Sequence, residues 1–436
     1  MAVSINTSLT LPSGLEIPNR LVKAAMTEGL ASPDNQATEK HATLYRRWAR
    51  GGIGLQLTGN VQIDRDHLER PGNVVISGEL TEAAKQALRD WSGAAKENGG
   101  KIVMQISHAG RQTPASVNDR PAAPSSIKLK MPGGLFGQPR AMTTDEVKDV
   151  IAGFANAAKI AEETGFDGVQ LHGAHGYLIS QFLSPRSNRR TDEWGGPLAN
   201  RARLLLESIR AVKAATSEGF SVSVKLNSTD FQKGGFSHED CLRVIDMLNE
   251  EGLDFVEISG GNYEQPKLAG IEGMEPAFEE PVRESTRARE AYFANYARSI
   301  QERAKMPLMV TGGFRTVDAM NAAIEDKEAD LIGIGRPLCA APDLPQQLLG
   351  GDINTAPKFE DTLKLGPGRW LGKNSPINLI KGMNGWGQQG WFCLQLINMG
   401  EGREPDLDMG VFSALRKYQA NEKQAAKAYK SASRAD

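Results

Sequence analysis

Two histidines three positions apart, His172 and His175, and a tyrosine two further on, Tyr177, follow directly on a short run, Phe166-Asp167-Gly168-Val169-Gln170-Leu171. That run has the length and apolar content of an inner strand. Three side chains able to donate protons or hydrogen bonds near neutral pH therefore gather at one strand's carboxyl end. A pair of imidazoles can donate to a single oxygen and stabilise charge developing on it. A tyrosine of ordinary acidity, with a pKa of about 10, keeps its proton at neutral pH and can deliver it to a carbanion. The same spacing is half of a metal site, but no third ligand stands out nearby and the chain has no H-E-x-x-H helix, so no metal is expected. The plainest alternative makes all three satisfied core residues. No serine or cysteine beside the cluster makes an obvious nucleophile, which disfavours a triad hydrolase.

Two glycine-bearing segments point to a phosphate. Thr311-Gly312-Gly313 and Gly335-Arg336-Pro337 each follow a strand-like run. Glycines let backbone N–H groups approach an anion closely, and an arginine adds bidentate charge. Tight turns and a surface ion pair for Arg336 are the competing reading. Lys225 lies within VSVKLN, flanked by apolar residues. A cation buried there needs a partner, either a bound anionic group or Glu257 on the neighbouring strand. Gln105, on a further strand, either meets a ligand or satisfies core backbone groups.

The elements that must position these residues alternate along the chain. Strand-like runs occur at Leu21–Ala25, Ile53–Thr58, Ile102–Ile106, Val169–Leu171, Val222–Leu226, Phe255–Ile258, Leu308–Val310 and Leu331–Ile334. Helical patterns lie near 38–50, 81–98, 144–164, 197–216, 237–251, 286–303 and 316–325, with a shorter one near 343–349. Eight strands each followed by a helix predict an α/β fold, a closed TIM (β/α)8 barrel, whose ligands bind at the carboxyl ends of the strands and whose phosphates bind after strands seven and eight. No early G-x-G-x-x-G supports an open doubly wound sheet. Leu9, Leu11, Leu15 and Ile17 around Pro12-Ser13-Gly14 predict an N-terminal hairpin that plugs one end. Residues 107–143 and 259–285 form connections long enough to be lids or pocket walls. The barrel is expected over 1–350 and a C-terminal helical extension over 351–436, packing on the barrel or on a second subunit. Trp370, Trp386 and Trp391 argue against a loose linker there, and Val411, Leu415, Tyr418, Ala425 and Tyr429 trace a basic amphipathic helix.

The 436 residues are 40% hydrophobic and 24% charged, as in ordinary globular proteins. A net charge of -2 gives no electrostatic case for nucleic acid or a membrane surface. Cys241, Cys339 and Cys393 form no C-x-x-C pair, so neither a structural zinc site nor an iron–sulfur cluster is expected, and a reducing compartment is. No secretory h-region or membrane-length apolar stretch stands out, and a cytoplasmic location is the expectation.

The motifs NRLVKAAMTEG, MQISHAGRQ, GFDGVQLHGAHGYLISQFLSPRSNRRTDEWGG, VSVKLNSTDF, VTGGF and IGIGRPL run in this order over about three quarters of the chain. Together they resemble the Old Yellow Enzyme family of FMN-dependent ene-reductases, in its NADH:flavin oxidoreductase branch. The resemblance implies FMN as cofactor and NADH or NADPH as reductant. Ala25, Met26 and Thr27 would touch the flavin ring, with Thr27 bonded to its O4. Gly59 and Gln105 would meet the pyrimidine edge, and Lys225 would sit by N1 and O2. Gly312, Gly313, Gly335 and Arg336 would hold the phosphate. His172, itself beside the cofactor, and His175 would grip the oxygen of an activated alkene, a small molecule bearing a carbonyl or nitro group, and Tyr177 would protonate its α-carbon. The implied reaction is hydride transfer from the flavin to the β-carbon; a homo-oligomer is compatible with it. The His-His pair departs from the His-Asn pair of other members, Lys225 replaces an arginine of many relatives, and Gly29 stands where the thermophilic-like branch carries a pocket tyrosine, which predicts a wider pocket. Two other readings compete: a flavin-free phosphate-binding lyase or isomerase using Lys225 for a Schiff base, and a protein that binds FMN without turnover.

Overall fold

The computed structural model describes residues 3–129, 131, 134–259 and 294–432. Among them, eight strands close on themselves: β1 (Leu21–Lys23), β2 (Leu55–Leu57), β3 (Lys101–Ser107), β4 (Gly168–Gly173), β5 (Ser221–Asn227), β6 (Phe255–Ser259), β7 (Leu308–Thr311) and β8 (Leu331–Ile334). Each pairs in parallel with the next, and β8 returns to β1 through Ile332 opposite Leu21, so the sheet is a closed barrel. Every strand lies within or overlaps its predicted run. Helices α1 (Glu39–Arg50), α2 (Glu82–Ala95), α3 (Thr144–Glu163), α4 (Leu198–Ala215), α5 (His238–Leu248), α6 (Ala294–Gln301), α7 (Val317–Glu325) and α8 (Leu344–Gly350) follow the strands in turn. Of the predicted loop 259–285, Ser259 closes β6 and the rest, with the first part of the helix near 286–303, lies outside the described residues.

Side chains alternate across each strand, so the inward set changes character every second residue. At the amino end the interior is apolar: Val22, Leu55, Leu57, Val103, Phe255, Met309 and Leu331 pack with Leu11 and Ile17 of the N-terminal hairpin (Leu9–Thr10 with Glu16–Ile17), which plugs that end as expected. Two residues beyond Val103, Phe255 and Met309 stand Gln105, Glu257 and Thr311, and Lys225 of β5 lies opposite Glu257. The hydrophobic plug and the polar layer above it are successive steps of one period-two pattern.

Outside the barrel, Lys23 of β1 is buried under α1. It donates to the Tyr45 hydroxyl at 3.1 Å and the Leu57 carbonyl at 2.5 Å, and its ammonium lies over the Tyr45 and Trp48 rings. Burial pushes its pKa down to about 8, against the pull of Glu28.

Beyond the barrel, α9 (Asn378–Gly400) and α10 (Val411–Ala432) pack on each other, and α9 lies on α1. Glycines set the approach of the pair, since a Cβ at Gly390 would come within 2.9 Å of the Tyr418 Cβ. Lys40 and Arg47 of α1 pair with Glu401 and Glu404 at 2.8 and 2.6 Å. Of the three tryptophans here only Trp391 is buried; Trp370 and Trp386 are exposed.

The unfolded chain holds the Lys23 proton up to pH ~10.4 while the folded chain releases it near 8, so stability rises with pH in between. Denaturant titrations at pH 7 and 9.5 should show wild type gaining roughly 2 kcal/mol relative to Lys23→Met.

Candidate active site

The turn after β4 makes the cluster. His175 (φ 59°) and Gly176 (φ 79°) both take the left-handed region, which reverses the chain within a few residues. The His172 and Tyr177 rings then meet at 4.6 Å between centroids, and the two imidazoles at 5.1 Å. Asn227 at the end of β5 accepts the His175 backbone N–H at 3.1 Å, and Gln112 donates to the His175 carbonyl at 3.1 Å. Pro197 caps α4 just outside its first turn, after the long loop that follows the cluster.

The ring nitrogens form one chain. Asn60 donates to Glu69 at 2.5 Å, so its carbonyl oxygen is the end turned to His172 Nδ1, 2.8 Å away. His172 thus carries its proton on Nδ1 and accepts on Nε2 from His175 Nδ1 at 3.1 Å; His175 Nε2 then accepts from the Ser259 hydroxyl at 2.6 Å. Both imidazoles are held neutral, their pKa values driven well below the ordinary range by burial, with the neighbouring His175 and Lys225 adding for His172 and Lys225 for His175. An oxygen placed between them replaces their mutual bond and receives the His175 Nδ1 proton.

Beneath the histidines, Lys225 lies opposite both His172 and Glu257 in the strand register. Its ammonium is 2.9 Å from Glu257 Oε1, which also accepts from Thr311 at 2.7 Å. The ion pair with Glu257 is formed, and a lysine pinned in this way is a poor Schiff-base nucleophile. Gln105 donates to Gln170 at 2.6 Å, and the buried Gln170 Nε2 has no hydrogen-bond partner among the described residues. Ala25, Met26 and Thr27, after β1, are partly exposed between buried neighbours. Gly59 is buried: its N–H donates to Glu28 at 2.8 Å, and a side chain there would run into Glu28 and the Met26 carbonyl. After β7, Gly312 (φ 110°) and Gly313 (φ 89°) adopt backbone closed to other residues, and after β8, Gly335 leads into Arg336 at the start of a 3-10 turn. Arg336 is half exposed, with Glu360 at 3.5 Å; Glu360 binds the buried Arg315 more closely, at 2.6 Å.

A family model described as the NADH:flavin oxidoreductase / NADH oxidase family matches residues 9–352. The chain belongs to that family. The NADH-dependent flavin oxidoreductase iliE of Neonectria sp. (strain DH2) is 38% identical over 371 residues, 81% of this chain, although the chain spans only 48% of that relative's length. The protein of the same name from Hypocrea jecorina (strain QM6a) is 34% identical, over 78% of this chain and 88% of its own. Among solved structures, the old yellow enzyme homologue from Zymomonas mobilis aligns with a TM-score of 0.67 at 26% identity, over 81% of this chain and 94% of its own, and morphinone reductase with 0.66 at 25%, over 82% and 92%.

In this member of the family, the loop after β2 brings three residues to the mouth that spacing alone did not single out: Asn60, Glu69 and Arg70. Glu69 accepts the hydroxyls of both Thr27 and Tyr177. Arg70 is buried, pairs with Glu422 of α10, lies over the Tyr418 ring and reaches the Thr27 carbonyl at 3.4 Å. It also fills the space beside Gly29, where an added Cβ would lie 2.5 Å from the guanidinium carbon. The wider pocket expected from Gly29 is therefore corrected: a guanidinium from a neighbouring loop occupies that place. A second histidine pair, His67 and His108, stacks beside Asp64. Each accepts a backbone N–H on its far nitrogen, from Ala122 at 2.8 Å and Gly110 at 3.0 Å, so each turns a protonated nitrogen toward Asp64. In that arrangement the lone pair of each imidazole is taken by a backbone N–H and does not face Asp64.

Because His172 and His175 stay neutral when folded and take protons when unfolded, stability falls as pH drops below ~6.5. Urea titrations from pH 7 to 5 should give a shallower fall for His175→Asn than for wild type. Asparagine tolerates the left-handed backbone, whereas His175→Val should cost about 1–2 kcal/mol more than His175→Asn.

Proposed function

We propose that the protein is an FMN-dependent NAD(P)H oxidoreductase that reduces carbon–carbon double bonds activated by a carbonyl or nitro group. The observation that carries this reading is that Thr27 after β1 and Tyr177 after β4 meet on one carboxylate beside two neutral imidazoles. A floor of small and apolar side chains and a wall of proton donors thus share one opening.

The residues fit a flavin. The unpaired Gln170 amide, with Gln105 bonded to it, offers a donor to a heterocycle edge, and Ala25 and Met26 leave apolar surface open to a ring. Gly312, Gly313 and Gly335 with Arg336 suit a phosphate after strands seven and eight. Lys225 provides positive charge below the histidines. When bound, FMN supplies the hydride that it takes from NADH or NADPH. His175 turns its Nδ1 proton from His172 to the oxygen of the activating group, and the bonds of Asn227 and Gln112 to its backbone keep it oriented. Polarising that oxygen makes the β-carbon electrophilic and lets charge develop where hydrogen bonds already point. Tyr177 gives the proton to the α-carbon.

An anaerobic absorbance spectrum tests this directly. The protein should take up FMN, the flavin band should bleach with NADH or NADPH and return with cyclohexenone, and the faster reductant identifies the preferred nicotinamide. No FMN uptake overturns the reading; bleaching without recovery limits it to flavin reduction. Tyr177→Phe should slow the return by about 100-fold and leave bleaching nearly unchanged.

A further inference from the structure

Tyr177 and Thr27 are hydroxyls that the proposed chemistry needs turned toward the pocket, yet both donate to Glu69. The third close ligand of that carboxylate is the Asn60 amide at 2.5 Å, with Asn73 at 3.5 Å. Asn60 in turn sets the tautomer of His172. One carboxyl group thus commands three of the site's donors. Glu69 is partly exposed whereas Tyr177 and Asn60 are buried, so water reaches the carboxyl group more readily than the phenol. Among the described residues, the charged and titratable groups around this network include Tyr177, His172, Arg70 with Glu422, and Glu28, which is engaged by Tyr45 and the Gly59 amide.

We infer that Glu69 is the positioning residue and proton source for Tyr177, an inference that rests on the alkene-reductase reading above. As a carboxylate it holds the phenolic proton away from the pocket. As a carboxylic acid it donates to the phenolic oxygen, and the Tyr177 proton swings toward substrate. In turnover the Tyr177 O–H bond breaks as the α-carbon C–H bond forms from the former C=C π pair, which the hydride added at the β-carbon displaces toward the α-carbon. The phenolate takes the proton of the Glu69 carboxyl, and Glu69 recovers one from water.

The test is Glu69→Gln, which keeps size but exchanges one acceptor oxygen for an amide donor and has no acidic proton to pass on, with Glu69→Asp as the conservative comparison. In stopped-flow experiments on the FMN-loaded protein, reoxidation by cyclohexenone should slow at least about ten-fold in Glu69→Gln and lose its pH dependence, while reduction by the nicotinamide changes little. Glu69→Asp should regain part of the rate and the pH profile. Independently of turnover, the 13Cζ resonance of Tyr177, identified by its loss in Tyr177→Phe, should move upfield in Glu69→Gln as the phenol loses its carboxylate acceptor. Wild-type reoxidation rate and pH profile in Glu69→Gln, or equal slowing of both half-reactions, overturns the inference. An unmoved Tyr177 resonance overturns it by itself. If wild type reduces no enone or nitroalkene although that resonance moves, the alkene reading fails and the hold of Glu69 on Tyr177 stands.

Discussion

The polar half of the barrel depends on the Lys225–Glu257 pair. An ammonium enclosed by eight strands costs several kcal/mol unless a carboxylate meets it with good geometry. Here strand pairing supplies that geometry, since the two residues lie directly opposite on β5 and β6. Thr311 extends the pair to β7, and the register places His172 of β4 on the other side of Lys225. Four consecutive strands are thereby joined through one charged layer. Its functional consequence is electrostatic: burial drives both imidazoles neutral, the positive charge of Lys225 adds to that, and a neutral imidazole donates through only one nitrogen at a time. The direction of every hydrogen bond above Lys225 then has to be settled by residues further out.

Those residues show where sequence reasoning reached and where it stopped. The strands and helices were legible because burial imposes a period, two along a strand and 3.6 along a helix, and the barrel follows from their alternation. His172, His175 and Tyr177 were legible because they share one strand end. Lys225 was legible as a charge out of place in an apolar run, with Glu257 already a candidate partner. Asn60, Glu69 and Arg70 were not. They lie in a loop with no period, and their importance comes from contacts to residues more than 40 positions away, Thr27, Tyr177 and Glu422 among them. The signal that could have found Glu69 and Arg70 is adjacent opposite charges in the loop after strand two, in HLERPGN, at the barrel face where ligands bind. The misreading of Gly29 has the same origin: a missing side chain says nothing about which distant one takes its place.

The C-terminal helices join the same argument through Arg70. Its guanidinium is buried beside the Thr27 carbonyl, next in sequence to the carboxylate that holds Tyr177. A buried cation there is tenable because α10 brings Glu422 as counter-charge and the Tyr418 ring as a face to lie on. On the other side of that loop, Tyr429 donates to the Arg65 carbonyl at 3.0 Å and stacks near the Arg65 guanidinium. Helix α10 therefore supports the loop after β2 at two points, on either side of Glu69. With α10 displaced, Arg70 would face an uncompensated burial cost and its most economical response would be to swing toward water, vacating the space beside Gly29. The guanidinium that fills the space beside Gly29 is thus held by a helix some 350 residues further along the chain.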